Sequence, residues 1–136
     1  MARFRLSRPA QMDIANIFAT GTRQWGVEAE RRYAVVLASA MRQVAADPEG
    51  RVTRGHGDLL PGIRSFHLRH ARVDDPGSRV RRPVHVLYYR AIEPEVIEIF
   101  RVLHERMDAS RQIRETPEDG LDEPPEDRDP PAYSLS

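Results

Sequence analysis

Arg64, Arg69, Arg90, Arg101 and Arg106 could supply cations for phosphate oxygens, and Tyr88, Tyr89 or His104 could move protons. Cleavage of RNA through its own 2′-hydroxyl needs that combination: a base, an acid and cations around the pentacovalent phosphate. The same arginines serve equally well for binding alone, because a guanidinium forks carboxylates and phosphates bidentately. His67 and His70, with His85 or His104, invite a metal reading. Residues three apart on a strand face opposite ways, however, so the first pair converges only at a bulge. Surface or partly buried histidines are the better reading, and no metal or cofactor is expected. The chain has no cysteine, which removes thiolate metal sites and disulfides together.

These side chains must be positioned by elements that the hydrophobic pattern predicts. Phe4 and Leu6 alternate with Arg3 and Arg5, a short half-buried strand. Ser7 is placed to cap a helix with Pro9 in its first turn, and Ala10, Ile14, Ile17, Phe18 and Gly21 share one face of it. Trp25-Gly26 interrupts the pattern. A second stripe follows at Ala29, Tyr33, Val36, Leu37, Ala40, Met41 and Val44, and Asp47-Pro48 ends it. So short a link makes the two helices an antiparallel hairpin.

The period then changes to two. Residues 63–69 read as a strand with Phe66 and Leu68 on one face and His67 and Arg69 on the other. Residues 74–82 are turn-like, with Asp75-Pro76-Gly77-Ser78 as the tip. Residues 84–91 and 96–104 are two further strands, joined through Glu93-Pro94-Glu95 as a hairpin. Both are apolar on each face, as strands are when covered on both sides or left open for a partner. The fold class is α+β: an N-terminal strand and a helical hairpin packed on a three- to four-stranded antiparallel sheet.

Within that frame each candidate has a structural reading beside the functional one. Arg101 sits among apolar residues and needs a partner, so a structural salt bridge is favoured over catalysis. His104 and Asp108 are best read as ending a strand and capping a turn. Tyr88 and Tyr89 face opposite sides of the sheet, one in the core and one towards a partner. Trp25 at the hairpin tip is read as a packing lid. Arg79, Arg81 and Arg82, with Arg64, Arg69 and Arg72, form either a solvated basic face or a landing surface for an acidic partner or nucleic acid.

All 21 basic residues are arginine, and they balance 21 acidic ones to a formal charge of zero. The balance is uneven along the chain. From Glu115 onward there are eight acidic residues and one basic, so residues 1–114 keep 20 basic and 13 acidic, a charge of +7. A basic body favours acidic partners. The Pro-rich acidic stretch 115–136 lacks the apolar residues for a core and reads as a flexible, solubilising tail, with transient cover of the arginine face as the alternative. Two parts are therefore expected, a domain at 1–114 and a tail at 115–136. No apolar run suits a membrane span or a secretory signal, so a cytoplasmic location is the default.

Several segments, in order, resemble the ParE toxin family of the RelE/ParE superfamily. They are Leu6-Ser7-Arg8-Pro9-Ala10 with Asp13-Ile14 and Ile17, Trp25-Gly26 with Ala29 and Tyr33, Pro61-Gly62-Ile63-Arg64-Ser65, Tyr88-Tyr89-Arg90, and the run from Arg101 through His104, Arg106 and Asp108. The resemblance covers about residues 3–113. The stretch 71–83 is longer than the family's usual turn, and the acidic tail lies outside its pattern.

The resemblance implies a RelE/ParE-like fold and a toxin that works by binding. Its implied target is DNA gyrase, with or without bound DNA, and its implied partner is a ParD-like antitoxin laid beside the helical hairpin. The contact surface is then expected to draw on Arg64, Arg69, Arg81, Arg82, Tyr89, Arg90, Arg101, His104, Arg106 and Asp108. The runner-up is the ribosome-dependent messenger cleavage of RelE-type toxins, on the same scaffold. The lysines and near-terminal tyrosine of those nucleases lack counterparts here, since Tyr133 falls in the tail. A third reading is a module that binds an antitoxin without toxicity.

Overall fold

In a computed structural model, residues 2–74 and 80–117 are described. The elements run β1 (Arg3–Leu6), α1 (Arg8–Trp25), α2 (Val27–Ala46), β2 (Arg54–Gly55), β3 (Arg64–His67), a 3₁₀ turn (Leu68–His70), β4 (His85–Glu93), β5 (Val96–His104) and α3 (Ala109–Arg114). The expected α+β architecture is present. The tip at 75–78, Arg79 and the acidic stretch from residue 118 lie outside the described residues. Among the described residues no helix is long and apolar enough to cross a membrane.

The sheet has five strands in the order β1-β5-β4-β3-β2 and is mixed rather than purely antiparallel. β1 pairs parallel with β5, Arg3 opposite Val96 through Leu6 opposite Ile99. The open edge of β5 needs partners for its backbone groups, and the N-terminal segment supplies them. At the other edge the two-residue β2 adds Arg54 and Gly55 to β3. β3 stops at His67, short of the expected Arg69. There the His67 ring turns back to accept a hydrogen bond from the Arg69 N–H at 3.0 Å and caps a 3₁₀ turn.

The helical hairpin is held at its start and at its tip. Ser7 Oγ accepts from the Ala10 N–H at 3.0 Å while donating to the Phe100 carbonyl at 2.8 Å, so one side chain caps α1 and ties it to β5. At the tip Gly26 alone joins the helices with φ 90°, a conformation that a Cβ disfavours. Trp25, expected as a lid, is instead 73 % exposed, because a one-residue link leaves nothing above the tip to pack on.

The apolar stripes of both helices meet Phe66, Leu87, Tyr89, Ile97, Ile99 and Val102 in the main core. A second cluster on the opposite face joins Ile63, Tyr88, Phe100 and Leu103 to Ile113 of α3, with Leu59 and Leu60 against it. β4 and β5 are apolar on both faces because both faces are covered. For the same reason both tyrosines are buried, Tyr88 at 8 % and Tyr89 at 0 % exposure, whereas one was expected at the surface.

Candidate binding groove

α1 and α2 do not cover the whole sheet. Between their tip half, the segment 80–84 and the outer ends of β4 and β5 lies an open groove of about 820 Å³. Its walls are built from small and apolar residues. Ile17 and Gly21 come from α1, Ala29 and Tyr33 from α2, and Val80 and Val84 from the facing segment. Gly21 and Ala29 keep the helical wall low, and a Cβ at Gly21 would meet nothing within 4 Å. Trp25 and Met107, both well exposed, also line it, and Arg32, Arg81 and Arg82 outnumber Glu30 among its charged residues. Open, mainly apolar and edged with cations, it suits an acidic amphipathic segment better than a small polar substrate.

Tyr33 and His85 in the lining are hydrogen-bonded to each other. Tyr33 Oη accepts from the Val84 N–H at 3.1 Å and donates to His85 Nδ1 at 2.6 Å, so it fixes the start of β4 against α2. His85 in turn meets His104 edge to face, with ring centroids 5.4 Å apart. Burial first, then repulsion from His104, pushes His85 down to about 4, against the opposing pull of Asp13 and Glu105. Burial likewise raises the Tyr33 hydroxyl, which keeps it a donor. His67 and Glu105 form a separate pair at 2.7 Å. No group of three or more metal-binding side chains occurs among the described residues.

A pH dependence follows from His85. The folded state holds the ring neutral down to about 4, while the unfolded chain takes up a proton near 6.5. Acid therefore favours the unfolded state between these values, and this contribution is complete above 6.5 and lost by 4. About 3 kcal/mol should disappear across the window. Urea melts at pH 7 and pH 4.5 should show a smaller loss for His85→Gln than for the parent. Equal losses in both proteins would remove His85 as the cause.

The expected contact residues divide into three groups. Arg81, Arg82 and His104 line the groove. Arg69 and Arg106 are exposed on turns beyond β3 and β5. The rest do structural work. Arg64 Nε donates to the Pro48 carbonyl at 3.1 Å and its Nη2 to Thr53 at 2.7 Å, and Tyr89, its cross-strand partner, donates to the same carbonyl. Together they tie down the turn after α2, so Tyr89 is not on a contact surface. Arg90 lies over the Phe100 ring at 5.4 Å and opposite Glu98 in the strand register. Burial raises the Glu98 carboxyl, while Arg5 and Arg90 on the flanking strands lower it. Asp108 caps α3 by accepting from the Arg111 N–H at 3.2 Å. His104 ends its strand as a hydrogen-bond acceptor, taking the Arg106 N–H at 3.1 Å.

Arg101 is a structural ion pair. The register slips between Tyr88 and Tyr89, so that Tyr88 faces Arg101, Tyr89 faces Ile99 and Phe100 is the extra residue of a bulge. β1 ends opposite Ile99, and past that point Asp13 of α1 does the work of a strand. One carboxylate oxygen accepts the Val102 N–H at 2.9 Å, and the two oxygens take Arg101 Nε and Nη2 at 2.8 Å each. Arg101 Nη1 reaches Thr116 Oγ1 at 2.9 Å beyond α3. Asp13 and Tyr33 had drawn notice only as a family-like residue and a core residue. A small residue such as Gly21 on an otherwise apolar stripe was the sequence signal for the groove.

Residues 4–109 match the family described as the ParE toxin of the type II toxin–antitoxin system, parDE. The chain is 31 % identical to Toxin ParE1 of Mycobacterium tuberculosis over 112 residues, covering 82 % of this chain and 98 % of that protein. It is 33 % identical to Toxin ParE1 of Caulobacter vibrioides over 113 residues, 83 % of this chain and 99 % of that one. A solved structure of the chromosomal ParDE system from P. aeruginosa is similar over 76 % of this chain and 96 % of its own, at 18 % identity and a TM-score of 0.49.

Proposed function

Because this chain belongs to the ParE toxin family of type II toxin–antitoxin systems, we propose that it inhibits DNA gyrase and is silenced by a ParD-like antitoxin lying in the groove beside the helical hairpin. The observation that carries the antitoxin part is the groove itself: apolar walls, an exposed Trp25 and Arg32, Arg81 and Arg82 along the lining. An amphipathic acidic segment would bury its apolar face there and set its carboxylates on the arginines. Trp25 is the natural anchor, since a large exposed ring in a groove lining supplies much area for little entropy. The exposed Arg69 and Arg106 remain available for gyrase or its bound DNA.

The toxin acts by binding rather than by bond cleavage. Two of the three proton carriers weighed for RNA cleavage, Tyr88 and Tyr89, are buried, which supports this reading. Purified gyrase acting on relaxed plasmid, titrated with this protein, is expected to lose supercoiling and to trap cleaved DNA. A ParD-like antitoxin should restore activity. Full supercoiling in the presence of folded protein would overturn the gyrase assignment and direct the assay to ribosome-bound messenger. Double charge reversal, Arg81→Glu with Arg82→Glu, should weaken antitoxin binding at least tenfold at low salt, with a smaller deficit at high salt. Isothermal titration at two ionic strengths reads both.

A further inference from the structure

The described chain ends two side-chain contacts away from the groove wall. Thr116, buried at 8 %, is bonded to Arg101, Arg101 is clamped by Asp13, and Asp13 lines the groove wall. Nineteen residues, 118–136, follow Pro117. At roughly 3.3 Å per extended residue they are long enough to reach every part of the groove. They carry seven acidic residues and one arginine, a charge of −6, and their apolar side chains include Leu121, Tyr133 and Leu135. The groove lining keeps a cationic excess, Arg32, Arg81 and Arg82 against Glu30 once Asp13 is paired with Arg101, and has apolar walls for the leucines and the ring.

We propose that residues 118–136 dock in the groove of their own chain and act as a tethered competitor of the antitoxin. The docking stands on charge and on where the chain ends, while the competition rests on the reading that the antitoxin uses this groove. Tethering is what makes a weak contact sufficient. A short linker holds the segment at an effective concentration on the order of 1 mM. An intrinsic dissociation constant of about 0.1 mM then covers the groove about nine-tenths of the time and slows antitoxin association about tenfold. An incoming antitoxin with tighter contacts displaces the segment, so the free toxin is shielded without being permanently blocked.

The test uses the full chain and its single tryptophan, Trp25, which lines the groove. In one variant Leu121, Tyr133 and Leu135 become serine, and in a second the seven acidic residues from Glu118 to Asp129 become their amides. Docking predicts that both variants, and the parent in 0.5 M salt, show Trp25 emission shifted to the red and quenching by acrylamide increased about twofold. Stopped-flow mixing with a ParD-like antitoxin at low salt should then show association about tenfold faster for the variants. Unchanged Trp25 emission and quenching would overturn the docking. A Trp25 change with an unchanged association rate would support the docking and overturn the assignment of the groove to the antitoxin.

Discussion

Replacing Asp13 by alanine is expected to lower the melting temperature by about 10 °C, more than any other substitution of a charged residue in the described domain. The carboxylate holds the Nε and Nη2 of Arg101 and accepts the backbone N–H of Val102, so its loss orphans a guanidinium and a strand-edge donor together. Both side chains are mostly sequestered, at 13 % exposure for Asp13 and 15 % for Arg101. Removing one partner of such a pair costs about 3 kcal/mol, because the other charge stays desolvated without compensation. In a domain of this size that corresponds to about 10 °C. The double variant Asp13→Ala with Arg101→Met should recover a substantial part of the loss, since deleting both charges removes the desolvation cost as well. Calorimetry of the two single variants and the double variant closes the cycle. Single-variant losses below about 0.5 kcal/mol would show that water replaces the pair freely.

Gly21→Phe should uncouple neutralisation from toxicity. Gly21 lies one turn before the end of α1 on the groove wall, and a side chain there enters open space. Any ordinary residue is a better helix former than glycine, so the fold should be unharmed or about 0.5 kcal/mol more stable. The new ring, one turn from Trp25, would occupy the volume that an antitoxin side chain needs. Antitoxin affinity should fall on the order of 100-fold, about 2.7 kcal/mol. Gyrase inhibition should stay within a few-fold of the parent. In cells carrying both proteins the variant should arrest growth where the parent does not. Equal loss of both activities would place gyrase in the same groove, and loss of neither would place the antitoxin elsewhere.

The order of elements was legible because it depends on local periodicity. The stripe from Ala29 to Val44 matches α2, the apolar run from Val96 to His104 matches β5, and Ser7 and Asp108 cap helices as short-range chemistry dictates. The short extent of β3 and the two-residue β2 were not legible. A His67 ring bonded two residues ahead and a two-residue pairing leave no period to read. Trp25 was misjudged for a related reason. A tryptophan at a hairpin tip packs only if another element passes above it, and that is a property of the assembled chain.

Composition and pattern alone determined that this is an α+β chain with a basic body, two amphipathic helices and strands apolar on both faces. Apart from Arg101, set among apolar residues, they could not determine which arginines are surface and which are structure. That was decided where distant segments met: Asp13 with Arg101 across a bulge, Arg64 and Tyr89 on the carbonyl of Pro48, and Arg81 and Arg82 left on the groove lining. A guanidinium is the same in every sequence context, and its role is fixed by the desolvation and the partners it meets, which only the tertiary fold supplies.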